Sequence, residues 1–482
     1  MERILSAKQM RDADHHTITK LGVSEQALVE RAGRAVAEEI MIRFLGGRVL
    51  VCVGKGSNGA DGKVVAEILS KKHGFAVDVL VLPNDDLSFF DKRHDIIIDC
   101  IFGTGLNRNV EGVYEQVITK INNSNAYIIS CDIPSGLNAD NGMVQGVAVK
   151  ANLTIAIQEY KTGHFLNDGP DYSGEVIAKD IGISVWEDYF VRRLSKYNVA
   201  NCFPNRNRNS HKGCFGKATV FGGSKNYPGS VYLSLLSLSA LKSGVGYVNL
   251  AIPESMYQTY ALKNPECILY PVKDSDGAIS FDLDVIDKLL ESDAIAIGMG
   301  LGVSEEVYKT IKYLLQFYKG KLIIDADALN SIAKYGLDIL KDTKCKVILT
   351  PHIGEFCRLS GLDKQTVLAN PIELAKDFAK EYNVVLVLKN ATSIITDGEN
   401  VFINTTGCVG MAKGGSGDVL SGFITGVVAC STELLESVAS ACYVFGVAGE
   451  LAQKNDSAYT MLATDTINHL GKAINMICES ND

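Results

Sequence analysis

The sequence predicts a two-domain α/β protein, a doubly wound α/β domain followed by a larger α/β domain with its own sheet, and three observations carry this expectation. The chain has 482 residues, more than the roughly 100–200 that one ordinary core requires. Near-continuous apolar runs such as RVLVCVG, DIIIDCIFG, KLIIDAD and NVVLVLK recur between helical patterns, as parallel strands buried on both faces do. The alternation dissolves once, between Tyr197 and Gly213, where YNVANCFPNRNRNSHKG collects Asn, Arg and a lone Pro. The expected domains are therefore 1–205 and 206–482.

Ser6 opens S-A-K-Q, a capping-box pattern, so a helix is expected from there. A second helix is expected over Glu25 to Phe44, where Leu28, Ala32, Val36 and Ile40 form one stripe. The first-half strands are RVLVCVG, AVDVLVL, DIIIDCIFG, YIISCDIPSG and NLTIAI. Those of the second half are ATVFGG, YVNLAI, AIAIGMG, KLIIDAD, KVILTP and NVVLVLK, before a helix-rich tail from Gly417.

A net charge of -9 argues against binding nucleic acid through a basic face. The N-terminal MERILSAKQMRDADHH lacks the apolar core of a secretory signal. The longest uncharged stretches, Asn226 to Leu241 and Val419 to Thr432, fall short of the ~18 apolar residues of a membrane span. A cytoplasmic protein is expected, with no membrane partner and with self-association as a homo-oligomer. Its 12 cysteines form no C-x-x-C, and most, including Cys52, Cys100, Cys131, Cys430 and Cys442, sit in apolar strands or helices. Buried free thiols are the expected state, and no zinc site is expected.

Gly54, Gly56 and Gly59 spell G-x-G-x-x-G between a strand and a helix, the phosphate-cradling fingerprint of dinucleotide folds. Hydride chemistry would need a carboxylate about 20 residues on, at the end of the second strand. Asp78 has that spacing but lies inside the strand pattern, and Asn58 and Asp61 are oddly polar for such a turn. A dehydrogenase is thus the weakest reading. DCIFGTGL and CDIPSGL each end an apolar run with Asp, Gly or Ser, and ligands gather beyond such strand ends. Asn58, Asp99, Asp132 and Ser135 would converge there as hard oxygen donors. Each alone could equally cap a helix or close a turn.

GKGSNGADG, DCIFGTGL and CDIPSGL resemble the three signature loops of the NAD(P)H-hydrate epimerase family, which interconverts the R and S forms of hydrated NAD(P)H. The resemblance implies a Rossmann-like three-layer α/β/α sandwich. It also implies that Ser57, Asn58, Gly59, Ala60 and Asp61 hold the hydrated nucleotide with Gly103, Thr104, Gly105, Leu106, Asn107, Arg108, Asn109 and Tyr114. Asp132 would be the catalytic group nearest the reacting ring, and Asn58, Asp99 and Ser135 would coordinate potassium. The family usually has glycine where this chain has Ala60, which is tolerable if φ there is negative.

The other dense signal is MAKGGSGDVLSGFITGVVA, Met411 to Ala429. Gly414, Gly415 and Gly417 leave backbone amides bare where a helix begins, a site for an anion, and Ser416 is expected to join them on the nucleotide. A carboxylate at that mouth, Asp418, makes sense if it takes a proton from a hydroxyl while the amides stabilise a transferring phosphoryl group. The plain alternative is a helix cap. His352 with Glu355 reads more readily as a cap and substrate contact than as a metal pair, and Lys389 ends a strand.

Together, HKGCFGKATVFGGSKNYPG, GMGLG, DADALN, TPHIGE and GGSGD resemble the ADP/ATP-dependent NAD(P)H-hydrate dehydratase family of the ribokinase-like superfamily. The resemblance spans Asn209 to Cys478. It implies Asp418 as base, with Ala240, Gly302 and His352 lining the hydrate site, and Lys389, Asn390, Ala391, Thr392, Ser393 and Gly417 on the nucleotide. The implied small molecules are NADHX, NADPHX and ADP (ATP being the variant), with Mg2+ accompanying the nucleotide. Relatives commonly read G-N-P-G-M-A where this chain has Gly407, Cys408, Val409, Gly410, Met411 and Ala412. A ribokinase-like kinase with a regulatory N-terminal module fits Asp418 and its glycines equally well, and a non-catalytic scaffold role for the first half is a further alternative.

Overall fold

A computed structural model describes the chain except for residues 85–86, 186–190, 204–205, 239–242 and 480–482. The chain divides into two compact units, Arg3–Val191 and Met1–Glu2 with Arg192–Asp482.

The first unit opens with helix Ala7–Thr19. Ser6 Oγ accepts from Gln9 N at 3.1 Å, and Gln9 Oε1 accepts from Ser6 N at 2.8 Å, the box that S-A-K-Q predicts. Helix Glu25–Arg43 buries Leu28, Ala32, Val36 and Ile40, the expected stripe. Six parallel strands follow: β1 (Gly47–Val53), β2 (Phe75–Val81), β3 (Ile96–Cys100), β4 (Tyr127–Cys131), β5 (Leu153–Ile157) and β6 (Glu175–Lys179). Their order is β2-β1-β3-β4-β5-β6. Val49, Val51 and Val53 pack under the helices Glu25–Arg43 and Ser57–Ser70, while Leu50 and Cys52 face helix Val113–Asn122. These are the three layers of an α/β/α sandwich. Sequence patterning missed β6, because this edge strand is charged at both ends and only half buried. The strand order reverses beside β1, so the ends of β1 and β3 flank the crevice where such sheets bind ligands.

The second unit holds β7 (Lys217–Phe221), β8 (Tyr247–Pro253), β9 (Ile268–Val272), β10 (Ala294–Ile297), β11 (Lys321–Ile324), β12 (Lys346–Leu349), β13 (Val385–Leu388), β14 (Ser393–Thr396) and β15 (Val401–Asn404). Their order is β9-β8-β7-β10-β11-β12-β13-β14-β15, parallel as far as β13 and antiparallel beyond. The reversal beside β7 marks a second crevice. The hairpin β14–β15 was missed although Asp397 and Gly398, a standard turn signal, lie between SIIT and VFIN.

Three expectations are corrected. The stretch after Tyr197 is not a free linker: helix Lys196–Ala200 buries Val199 and Ala200 in the second core, and the units divide earlier, at Val191 and Arg192. Its Asn and Arg dominate the composition, but the few apolar residues decide the packing. Helix Leu434–Thr460 is long and apolar enough to span a membrane; 67% of that window is buried, packed on helices Ser416–Ala429 and Ala463–Cys478. It escaped notice because Glu436 and Glu450 interrupt its apolar run. All twelve cysteines are free, but Cys430 is exposed, since it follows the last turn of helix Ser416–Ala429.

Candidate active sites

In the first unit the glycine loop leads from β1 into helix Ser57–Ser70, whose Gly56 N-cap supplies no side-chain bond, so its first amides stay open. A Cβ on Gly59 would fall 2.0 Å from the Gly54 carbonyl oxygen, so close approach of backbone requires glycine there. Ala60 lies within the helix and is not among the positive-φ residues, which is why alanine is accommodated. Asp78 sits in β2, bound to His94 Nε2 at 3.1 Å, and that bond holds its carboxyl below the usual range. No ribose-binding role is open to it.

Three strand ends meet at Asn58. Its Nδ2 donates to the carbonyls of Phe102 (2.8 Å) and Cys131 (3.1 Å). Its Oδ1 is buried without a hydrogen-bond partner among the described residues. Asp99, at the end of β3, is fully buried. It accepts from Ser135 Oγ (2.5 Å), Ser135 N (2.8 Å), Ser130 Oγ (2.9 Å) and Ile101 N (3.2 Å). Burial still raises its carboxyl above the ordinary value, against the pull of those four bonds. Ser135 Oγ also accepts from Phe102 N at 2.8 Å. The next loop exposes Gly105, Asn107, Arg108 and Asn109, leaves Thr104 and Leu106 partly covered, and brings Gly103 against Asn58. The Tyr114 ring packs 4.9 Å from that of Phe102.

Asp132 follows β4 at φ 66°, a left-handed conformation that Asp adopts more readily than most residues. Its Oδ1 accepts from Ile157 N at 3.1 Å and from Lys161 Nζ, whose side chain is wholly buried. Lys161 Nζ also donates to Ile157 O at 2.7 Å. Lys161 N donates to His164 Nδ1 at 3.1 Å, which leaves Nε2 as the protonated nitrogen, donating to Asp132 O at 2.9 Å. Burial, then the neighbouring Lys161, pushes His164 down to about 4, so it is neutral. Burial, then the charge of Asp132, pushes Asp61 up to about 8. Lys161 and His164 were not anticipated. Their signal was the polar run QEYKTGH just past NLTIAI, one more strand end at the same edge.

In the second unit helix Ser416–Ala429 starts at Gly415 with φ 93° and no side-chain cap. Asp418, in its first turn, does not cap it. Its carboxylate bonds Ser230, and its backbone carbonyl accepts from Ser234 Oγ at 2.8 Å. Burial, then the charge of Asp325, pushes Asp418 up to about 6, against Ser230 and Lys389. Lys389 Nζ donates to Asp325 Oδ1 at 2.9 Å, and Ser421 Oγ donates to Asp325 Oδ2 at 2.5 Å. Burial disfavours the Lys389 charge, but Asp325 and Glu355 outweigh it and raise its pKa. A Cβ on Gly417 would stand 3.3 Å from that ammonium, which sets the closeness of the helix end to Lys389.

His352 does act as a cap: its Nδ1 accepts from Gly354 N (2.9 Å) and Glu355 N (3.3 Å), and Glu355 Oε2 accepts from His352 N at 2.9 Å. Gly302 N donates to Asp327 Oδ2 at 2.8 Å, and Asp327 in turn acts electrostatically on Asp418. Asn390 and Ala391 are exposed, Thr392 is buried and Ser393 is partly covered, in the turn joining β13 to β14. Gly414 is exposed with open space where a Cβ would lie. Ala240 lies outside the described residues. Asp325, Ser230 and Ser421 were not foreseen as site residues, although DADALN was singled out as a motif.

Two family models match the chain: one described as NAD(P)H-hydrate dehydratase over residues 218–472, the other as YjeF-related protein N-terminus over 25–94 and 83–163. The chain is 32% identical to the bifunctional NAD(P)H-hydrate repair enzyme Nnr of Thermofilum pendens, over 99% of this chain and 97% of that protein. It is also 32% identical to its namesake from Moorella thermoacetica, over 97% and 96%. Among solved structures it resembles the Bacillus subtilis ADP/ATP-dependent NAD(P)H-hydrate dehydratase co-crystallised with ATP/Mg2+, with 30% identity and a TM-score of 0.50 over 59% of this chain and 97% of that one. A ribokinase-like superfamily protein from Enterococcus faecalis matches with 27% identity and a TM-score of 0.52, over 61% and 99%.

Proposed function

The chain belongs to the family of bifunctional NAD(P)H-hydrate repair enzymes, and from that premise we propose how its residues divide the work. It is an isomerase and a lyase in one polypeptide. The first unit epimerises R- and S-NAD(P)HX, and the second dehydrates S-NAD(P)HX to NAD(P)H at the expense of a nucleotide. The observation that carries the second assignment is Asp418, raised to about 6 and held beside the uncapped helix end and Lys389.

In the second site Asp418 takes the proton of the C6 hydroxyl as its oxygen attacks the terminal phosphorus of ADP, and AMP departs. The amide of Gly417, at the uncapped helix end, and the Lys389 ammonium would face the charge that develops on the phosphoryl oxygens. Phosphate then leaves C6, driven by the ring nitrogen lone pair, and loss of a C5 proton restores the dihydropyridine. Gly302 and His352 would line the hydrate, and the turn Lys389 to Ser393 the nucleotide. Asp325, Asp327, Glu355 and Asp418 outnumber Lys389 as charges, an environment suited to a nucleotide that arrives with Mg2+.

In the first site Asp132 is the base, and Ser57–Asp61 with Gly103–Asn109 receive the hydrated nucleotide. The unpartnered buried acceptor Asn58 Oδ1, with the oxygens of Asp99 and Ser135, makes the all-oxygen donor set a potassium ion takes. Those three residues would hold it, and it would supply positive charge to the site. The same reading places the enzyme in the cytoplasm, acting on NADHX and NADPHX.

Incubating S-NADHX with ADP, Mg2+ and the protein should restore the absorbance of reduced nicotinamide. A kinase of some other small molecule would leave this substrate unchanged. Because Asp418 must be ionised to act as base, the rate should rise with pH through a midpoint near 6 and level off above it. A rate that is flat from pH 5 to 8 removes Asp418 from that role.

A further inference from the structure

Asp132 is held on one side only. Oδ1 is occupied by Ile157 N and the Lys161 ammonium, and no described residue provides a bond to Oδ2 of this partly exposed side chain. The clamp closes through the backbone as well, since Lys161 N binds His164 and His164 binds Asp132 O. Lys161 itself is fixed by a short strand, Tyr160–Lys161, paired in parallel with Ile4 and Leu5. A buried ammonium is costly unless paired, and this one has a single carboxylate contact. From this geometry we propose that Lys161 is a positioning residue for the epimerisation, holding Asp132 by Oδ1 so that Oδ2 alone turns to the C6 hydroxyl. The inference rests on the epimerase reading of the first unit.

The chemistry follows from the substrate. C6 carries both a hydroxyl and the ring nitrogen, so its configuration is lost when the ring opens. Asp132 Oδ2 takes the hydroxyl proton, the oxygen electrons form C6=O, and the C6–N1 bond electrons pass to N1. A proton from water passes to N1 as that bond breaks. Rotation about C5–C6 presents the other face of the aldehyde. Reclosure returns the N1 proton to water and the Asp132 proton to oxygen, so the cycle consumes nothing. The charged and titratable groups around Asp132 are Lys161, Asp61, neutral His164 and the buried Cys131 thiol, with Asp14 and Glu159 one step further out.

The test compares R-NADHX epimerisation by Lys161→Met, Asp132→Asn and the double variant, with circular dichroism and thermal unfolding of the same chains as the check on folding. Lys161→Met should slow epimerisation at least tenfold and move the acid limb of its pH profile upward by about 1–3 pH units, as loss of an adjacent opposite charge does. In the Asp132→Asn background the same change should cost almost nothing further. Equal losses in both backgrounds, or an unmoved acid limb, overturn the proposal. If Lys161→Met unfolds the first unit, Lys161→Arg decides: it keeps the charge and should keep the wild-type limb, and a displaced limb contradicts the role. Failure of the wild-type chain to epimerise R-NADHX at all would instead overturn the epimerase reading.

Discussion

Asp418→Asn is expected to slow dehydration of S-NADHX by about 10²–10⁴-fold, the usual worth of a general base, while epimerisation continues at the wild-type rate. The substitution keeps the shape of the side chain and its contact with Ser230, and it removes a negative charge that Asp325 disfavours, so the fold should not suffer. What it removes is the ability to accept the hydroxyl proton. Burial makes the native carboxylate a better base than an ordinary aspartate, because its conjugate acid is shifted to about 6 and yet largely ionised at neutral pH. Single-turnover rates with S-NADHX and ADP, alongside the R-to-S exchange rate, check both halves of the expectation. Wild-type dehydration in this variant would return Asp418 to a structural role.

Asp132→Asn should abolish epimerisation to a comparable degree, by about 10²–10⁴-fold, and leave S-NADHX dehydration intact. Asn tolerates the left-handed conformation at φ 66°, so the backbone need not move. Unlike Asp418→Asn, this change should also be felt in stability. It strips the carboxylate from a wholly buried ammonium, and breaking such a pair typically costs about 3–5 kcal/mol. Following R-NADHX consumption by chromatography, with thermal unfolding of the same preparation, separates the two effects. An Asp132→Asn chain that still interconverts the epimers would leave the first unit as a binding module.

The fold was legible where burial on both faces forces an apolar run. β1, β3 and β4 could be read directly, as could the strands from β10 to β13. Two edge strands, β6 and β9, were not: both are half exposed, and their composition follows solvent rather than the sheet. The sites divide in the same way. Gly54, Gly59 and Gly417 announce themselves because close backbone or side-chain approach permits little else. Asn58, Asp99 and Ser135 stood out as polar residues at the ends of apolar runs, and they meet through hydrogen bonds between adjacent strand ends. Lys161, His164 and Asp325 did not stand out, because their importance comes from partners distant in sequence. Lys161 lies 29 positions from Asp132, and Asp325 lies 64 from Lys389. A buried cation is indistinguishable from a solvated one until the fold shows what covers it.

The most direct measurement follows the C6 oxygen. S-NADHX carrying 18O at C6 is converted with ADP, and label retention is verified in the unreacted substrate of the same sample. Phosphoryl transfer to that hydroxyl, with Asp418 as base, predicts one labelled oxygen in the released inorganic phosphate for each NADH formed. Label appearing in water, with unlabelled phosphate, would contradict it.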